Sequence, residues 1–180
     1  AAQKRGDEVW GYVCCGPGKP YANFFIDFPG VDPRVLGWQF YQHELTGFLY
    51  YLINHYQPNE NWNMNVPKWP EKPWNPVSFR TNSDGILIYP GPDATPLAST
   101  RLENLRDGIE DYEALAMLAE AARKLRAKGG DAKLLAQAEA LLKVPTELSA
   151  SWKEYTKDPA VIVNARQQVD ELLQKMLALP

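Results

Sequence analysis

The segment Asp84-Gly85-Ile86-Leu87-Ile88-Tyr89-Pro90-Gly91, followed after seven residues by Ser99-Thr100-Arg101-Leu102-Glu103, constrains the fold more than any other stretch of the chain. The first part reads as a short apolar strand closed by a turn. The second opens an amphipathic helix, with Thr100-x-x-Glu103 as a capping box. Leu102, Leu105, Ile109, Tyr112 and Ala116 fall on one face, and the helix is expected to run to about Lys128, where Gly129-Gly130 stops it. A strand, an aromatic-rimmed loop and a capped helix form one βα unit. In such architectures ligands bind in the loop that follows the strand.

Three earlier segments extend the pattern. Glu8 to Cys15 reads as a strand stopped by Gly16-Pro17-Gly18. Asp32-Pro33 supplies an N-cap and a first helical proline for a helix reaching about Leu45. Gly47 to Ile53 is a continuous apolar run, as expected of a strand buried on both faces of a parallel sheet. Strands alternating with helices define an α/β chain. Three strands do not close a barrel, which needs eight. The chain is therefore either a small open α/β domain or the last three βα units of a (β/α)8 barrel. The continuous apolar strands and the abrupt start at the first strand favour the barrel.

Beyond the barrel part, residues 1–128, the sequence turns to Ala, Leu, Lys and Glu, and residues 129–180 read as a helical C-terminal extension. Asp131 caps one helix there, with Leu134, Leu135, Ala138, Leu141 and Leu142 on its apolar face. Asp158-Pro159 opens another, with the stripe Ile162, Ala165, Val169, Leu172, Leu173 and Met176.

The net charge of −3 argues against a nucleic-acid partner, which calls for a basic face. No apolar run is long enough for a membrane span, and Ala1 to Asp7 contains no apolar signal core. Cys14 and Cys15 are adjacent, too few to build a metal site alone, and read as small buried residues at a strand end. No metal-ligand spacing, phosphate-cradling glycine loop or Ser-His-Asp arrangement points to a metal or a cofactor.

Chemistry concentrates at the expected strand ends. Residues 54–83 form a long loop in which Trp62, Trp69 and Trp74 stand among five prolines. Loops of this length inside a compact domain are usually functional. Aromatic planes beside Asn, His and Asp side chains suit a sugar, whose C–H face packs on rings while its hydroxyls find polar groups. The candidate binding residues are Tyr51, Asn54, His55, Trp62, Trp74, Tyr89 and Arg101, the last standing in the first turn after the third strand's loop. The charges from Glu103 to Glu113 sit inside a helix and read as an ion network tying helix to barrel.

Four blocks in order, Arg34-x-x-Gly37-Trp38, Thr46-Gly47-Phe48-Leu49-Tyr50-Tyr51, Asp84 to Gly91 and Arg101 to Glu113, resemble the C-terminal part of family 123 glycoside hydrolases and their uncharacterised bacterial relatives. The resemblance spans about residues 8–125. It implies a (β/α)8 barrel preceded by a β-sandwich, removal of terminal β-linked N-acetylgalactosamine, and a secreted or periplasmic location. It also implies substrate-assisted catalysis, in which the sugar's acetamido oxygen attacks C1 while an adjacent Asp-Glu pair orients the acetamide and serves as acid and base. That pair belongs to an earlier barrel strand. Asp7-Glu8, ahead of a strand, and Glu110-Asp111, inside a helix, do not stand in for it. The chain would then supply part of a sugar pocket, with the upstream barrel and β-sandwich segments of the same protein as its partners. A non-catalytic carbohydrate-binding or scaffold domain is the alternative. Replacing Trp62 or Trp74 with Ala is expected to weaken sugar binding by about tenfold, the order of one lost stacking contact, while leaving the thermal unfolding midpoint in place. Unchanged binding by titration calorimetry would assign these rings to anchoring the loop instead.

Overall fold

The computed structural model describes residues 3–55, 77–78, 81–91 and 95–179. After a 3-10 turn at Gln3–Arg5, the order is β1 (Trp10–Tyr12), α1 (Asp32–Gln42), β2 (Gly47–Leu49), β3 (Val77–Ser78), β4 (Thr81–Asn82), β5 (Ile88–Pro90), β6 (Pro96–Ala98), α2 (Thr100–Ala127), α3 (Ala132–Leu141) and α4 (Pro159–Leu177). The chain is mixed α/β, with short strands and long helices.

β1 and β2 pair in parallel, Trp10 opposite Gly47 and Tyr12 opposite Leu49, with α1 as the crossover between them. Both strands are shorter than the apolar runs suggested. Burial also differs from the expectation of two covered faces. Gly11 faces the Phe40 ring of α1, whereas Trp10 (58% exposed), Tyr12 and Leu49 lie on the opposite, open face. A helix covers only one side of this pair, and period-2 alternation puts the other row in solvent.

The expected third parallel strand is an antiparallel one. β5 pairs with β6, closed by the Gly91 N–H donating to the Thr95 carbonyl at 2.9 Å. Just before β5, Ile86 bridges Asn54 in antiparallel fashion. The strand therefore finds its partner in the segment that follows it in sequence.

Helix boundaries follow the capping residues with small offsets. Ser99, one residue before the expected capping box, is the N-cap of α2, its hydroxyl accepting from the Leu102 N–H at 3.2 Å. Asp32 sits inside α1, with Val31 as N-cap, because its carboxylate is engaged elsewhere: it accepts from the Asn23 N–H and from the Tyr155 hydroxyl at 2.9 Å. Asp131 and Asp158 cap α3 and α4 as their sequences predict. Among the described residues no helix is long and apolar enough to cross a membrane.

The centre of the fold is the crossing of α1 and α2. A Cβ on Gly37 would lie 2.0 Å from the Gly108 carbonyl oxygen, and one on Gly108 would lie 2.7 Å from that of Arg34, so the two backbones touch. One turn on, the fully buried Asp111 carboxylate accepts from Arg34 Nε (2.7 Å), Trp38 Nε1 (2.8 Å) and Arg166 Nη1 (2.9 Å). α2 therefore buries Arg101, Gly108, Asp111, Leu115, Leu118 and Ala122, and Ile109 points outward. The face expected from apolar spacing is rotated, because the residues packed on α1 are small or charged. α4 packs on α2 through the stripe Ile162 to Met176, and Gln42 exchanges two hydrogen bonds with Ser149, tying the connection between α3 and α4 to α1.

Removing one member of a buried ion-pair cluster typically costs about 3–5 kcal/mol. Asp111→Ala is expected to lower the urea-unfolding free energy by an amount of that order. A loss below about 1 kcal/mol, the scale of an exposed pair, would show that Asp111 is not the anchor of this crossing.

Candidate functional site

The first of the parallel strands leads directly to a cluster of polar side chains. After β1 the chain passes buried Val13 and bends at Cys14-Cys15. After β2 it carries Tyr50, Tyr51 and His55. Both reach the turn Ser83-Asp84-Gly85, which precedes β5.

Asp84 is the hub. It is 1% exposed, and its two carboxylate oxygens accept from the Tyr50 hydroxyl at 3.0 Å and the Tyr51 hydroxyl at 3.2 Å. The Tyr50 oxygen also accepts from the Gly85 N–H at 2.7 Å. Burial pushes the Asp84 carboxyl up from its ordinary value, opposed by the tyrosine hydrogen bonds and by His55. Burial likewise raises the Tyr50 hydroxyl, which stays protonated as a donor.

The turn has no freedom to relax. Gly85 has a φ of +73°, and a Cβ there would fall 2.6 Å from the Tyr51 hydroxyl and 3.1 Å from the His55 Cβ, so only glycine fits. Ser83 also takes a positive φ, 65°, and its buried hydroxyl has no hydrogen-bond partner among the described residues. Left-handed backbone at a non-glycine residue is held only where its surroundings impose it. Here the surroundings include Arg101.

Arg101 is buried and turned inward. Its guanidinium donates to the carbonyls of Phe24, Ser83 and Ile86 and to the Tyr89 hydroxyl. It thus holds the 83–89 segment against the start of α2. Tyr89 is its partner, with the guanidinium 5.9 Å from the ring centre. Of the residues singled out in the sequence, Tyr51 and His55 come together at Asp84, with ring centroids 6.2 Å apart. Asn54 is exposed and pairs through its backbone with Ile86. Trp62 and Trp74 lie outside the described residues.

Sequence reasoning missed Asp84 and Tyr50 as site residues. The signal was the Asp-Gly pair ahead of β5, since Asp-Gly is a turn dipeptide and turns beside strand ends present polar groups. The two cysteines also differ from expectation. Cys15 is exposed and Cys14 half-buried, because the chain has left the strand and bends where they stand. Their sulfurs are 3.5 Å apart. The charges of α2 form the expected ion network, Arg106 pairing with Glu103, Asp107 and Glu110, and Arg34 reaching Asp107 as well as Asp111.

Burial lowers the pKa of His55, with Asp84 opposing, and burial also lowers that of His43. Both histidines therefore bind protons more weakly folded than unfolded, where the value is about 6.5. The stability contributed by keeping them neutral is complete above about 6.5 and is lost as pH falls from there toward their folded values. Unfolding free energy is expected to drop over that window, and His55→Gln to flatten part of the slope. A flat profile in both proteins would contradict it.

No curated protein matches the chain. The catalytic domain of glycoside hydrolase family 123, described as "Glycoside hydrolase 123, catalytic domain", matches residues 1–118. That span holds β1, α1, β2, the Asp84 turn and most of α2, so the chain belongs to glycoside hydrolase family 123.

Proposed function

We propose that this chain forms part of the sugar-binding face of a glycoside hydrolase that removes terminal β-linked N-acetylhexosamine, N-acetylgalactosamine foremost. The observation that carries the reading is the Tyr50-Tyr51-Asp84 constellation beyond the end of β2. Family membership supports hydrolysis of glycosidic bonds. The parallel step β1-α1-β2 supports a barrel, in which strand C-terminal ends carry the site.

In this reading Asp84 is a positioning residue, too buried to meet the ligand. It fixes the Tyr51 ring, which with His55, Tyr89 and Asn54 offers a platform and polar contacts, while Trp62 and Trp74 supply further aromatic surface. Arg101 holds the segment carrying Asp84 and Tyr89 in place. The acetamido oxygen of the substrate attacks C1 as the glycosidic C1–O bond breaks and the leaving oxygen takes a proton from a glutamic acid. Water then opens the cyclic intermediate, giving retention. The Asp-Glu pair that orients the acetamide and moves these protons belongs to a preceding barrel strand outside this chain. The open face bearing Trp10, Tyr12 and Leu49 is where preceding barrel strands pack, with a β-sandwich further upstream.

The test uses the complete protein with an aryl β-N-acetylgalactosaminide and with the matching β-galactoside. Turnover of the first with retained configuration, and none of the second, is expected. Tyr51→Ala should lower kcat/KM at least about tenfold, or about 1.4 kcal/mol of transition-state binding. Sugar binding without hydrolysis would move the assignment to a carbohydrate-binding domain, and neither activity nor binding would end it.

A further inference from the structure

The two adjacent cysteines and Asp84 have a relation that nothing in the sugar reading uses. Cys14 and Cys15 follow β1, and Asp84 lies 69 positions beyond Cys15, yet the two sulfurs and a carboxylate oxygen all fall within 4.8 Å of one another. We propose that Cys14, Cys15 and Asp84 form a binding site for a thiophilic divalent cation of the zinc class.

Geometry supports it first. Two sulfurs bound at about 2.3 Å to a tetrahedral centre stand roughly 3.8 Å apart. The observed separation is 3.5 Å, without a disulfide, so little movement separates the free thiols from a coordinated pair. The cysteine backbone is fixed as well. The Cys14 N–H donates to the Gly16 carbonyl at 2.9 Å, and the buried Asn23 side chain donates to the carbonyls of Cys14 and Pro17, both at 2.9 Å.

Charge supports it independently. Asp84 is a buried carboxyl group with no lysine or arginine within ion-pair distance among the described residues, unlike Asp111, which has two arginines. A carboxylate has about four acceptor positions, and the tyrosine hydroxyls take two of them. Those hydroxyls also orient the group, as outer hydrogen bonds orient metal ligands. A cation beside the thiols would neutralise it. Thiolate donors select zinc-like or softer ions over magnesium or calcium, and each thiol releases its proton to solvent on ligation. Cys15 is exposed, so an ion reaches the cluster from solvent. The site rests on this geometry and charge and holds whatever the fate of the sugar reading.

The test titrates the reduced, metal-free protein with Cd2+ alone and then with Zn2+ in competition, no sugar being present. One Cd2+ per chain is expected, with a thiolate-to-cadmium charge-transfer band that Zn2+ removes. Cys15→Ser should abolish the band, and Asp84→Asn should weaken binding by about tenfold or more. In the unmutated protein, where folding is not in question, Cd2+ should slow alkylation of both thiols by at least the same factor. The cadmium NMR shift should fall in the range of mixed sulfur and oxygen ligands. Absence of saturable binding, equal affinity in a folded Asp84→Asn protein, unprotected thiols or a sulfur-only shift would each overturn the site.

Discussion

The contact between the Gly37 and Gly108 backbones decides where everything else in this molecule can be. Helices that meet without side chains between them have almost no lateral play, and the buried Asp111 carboxylate, gripped by Arg34, Trp38 and Arg166, fixes their rotation. One of those arginines comes from α4, so the same carboxylate also seats the C-terminal helix. With α1 fixed, Phe40 is presented to Gly11 and the parallel pair β1-β2 is held above it. With α2 fixed, its first turn is delivered to the Asp84 turn. Scaffold and site therefore share one origin.

Two buried carboxylates in this chain do different work. Asp111 sits among cations and organises helices. Asp84 sits among hydroxyls, and organises tyrosine side chains at the mouth of the strands. Neither can be exchanged for an apolar residue without leaving its partners' donors stranded, which costs the desolvation of each group. The cost differs in place: at Asp111 it falls on the fold, and at Asp84 on the local geometry of the rings.

How much of this was legible in the sequence depends on whether the signal was periodic. The stripe of α4 is a regular apolar repeat, and every residue of it is buried. On α2, Leu102, Leu105 and Tyr112 pack on the core as their spacing predicts, but the most buried row runs through Gly108 and Asp111, a close-contact glycine and a charge that apolar spacing does not register, and Ile109 is left exposed. Capping residues located the helix starts within one position, but Asp32 was drawn inward by Tyr155 from 123 residues away, a competition invisible locally. The antiparallel pairing of β5 depends on the segment that follows it in sequence rather than on strand composition. Tyr51 and His55 were readable from their place after β2, whereas Asp84 became visible only once the turn that carries it was folded against them.

Arg101 ties that turn to the long helix through the carbonyls of Ser83 and Ile86, and ties both to the segment before α1 through that of Phe24. The amides nearby complete the tie, Leu87 and Ile88 donating to the Ile53 carbonyl, His55 to Gly85 and Ser99 to Leu87. Loops that hold ligands normally open far more easily than the core. Here the turn cannot peel away unless the guanidinium loses its acceptors inside the protein. Its amide protons should therefore exchange with solvent on the timescale of whole-molecule opening, which makes this turn part of the slowest cooperative unit rather than a flap upon it.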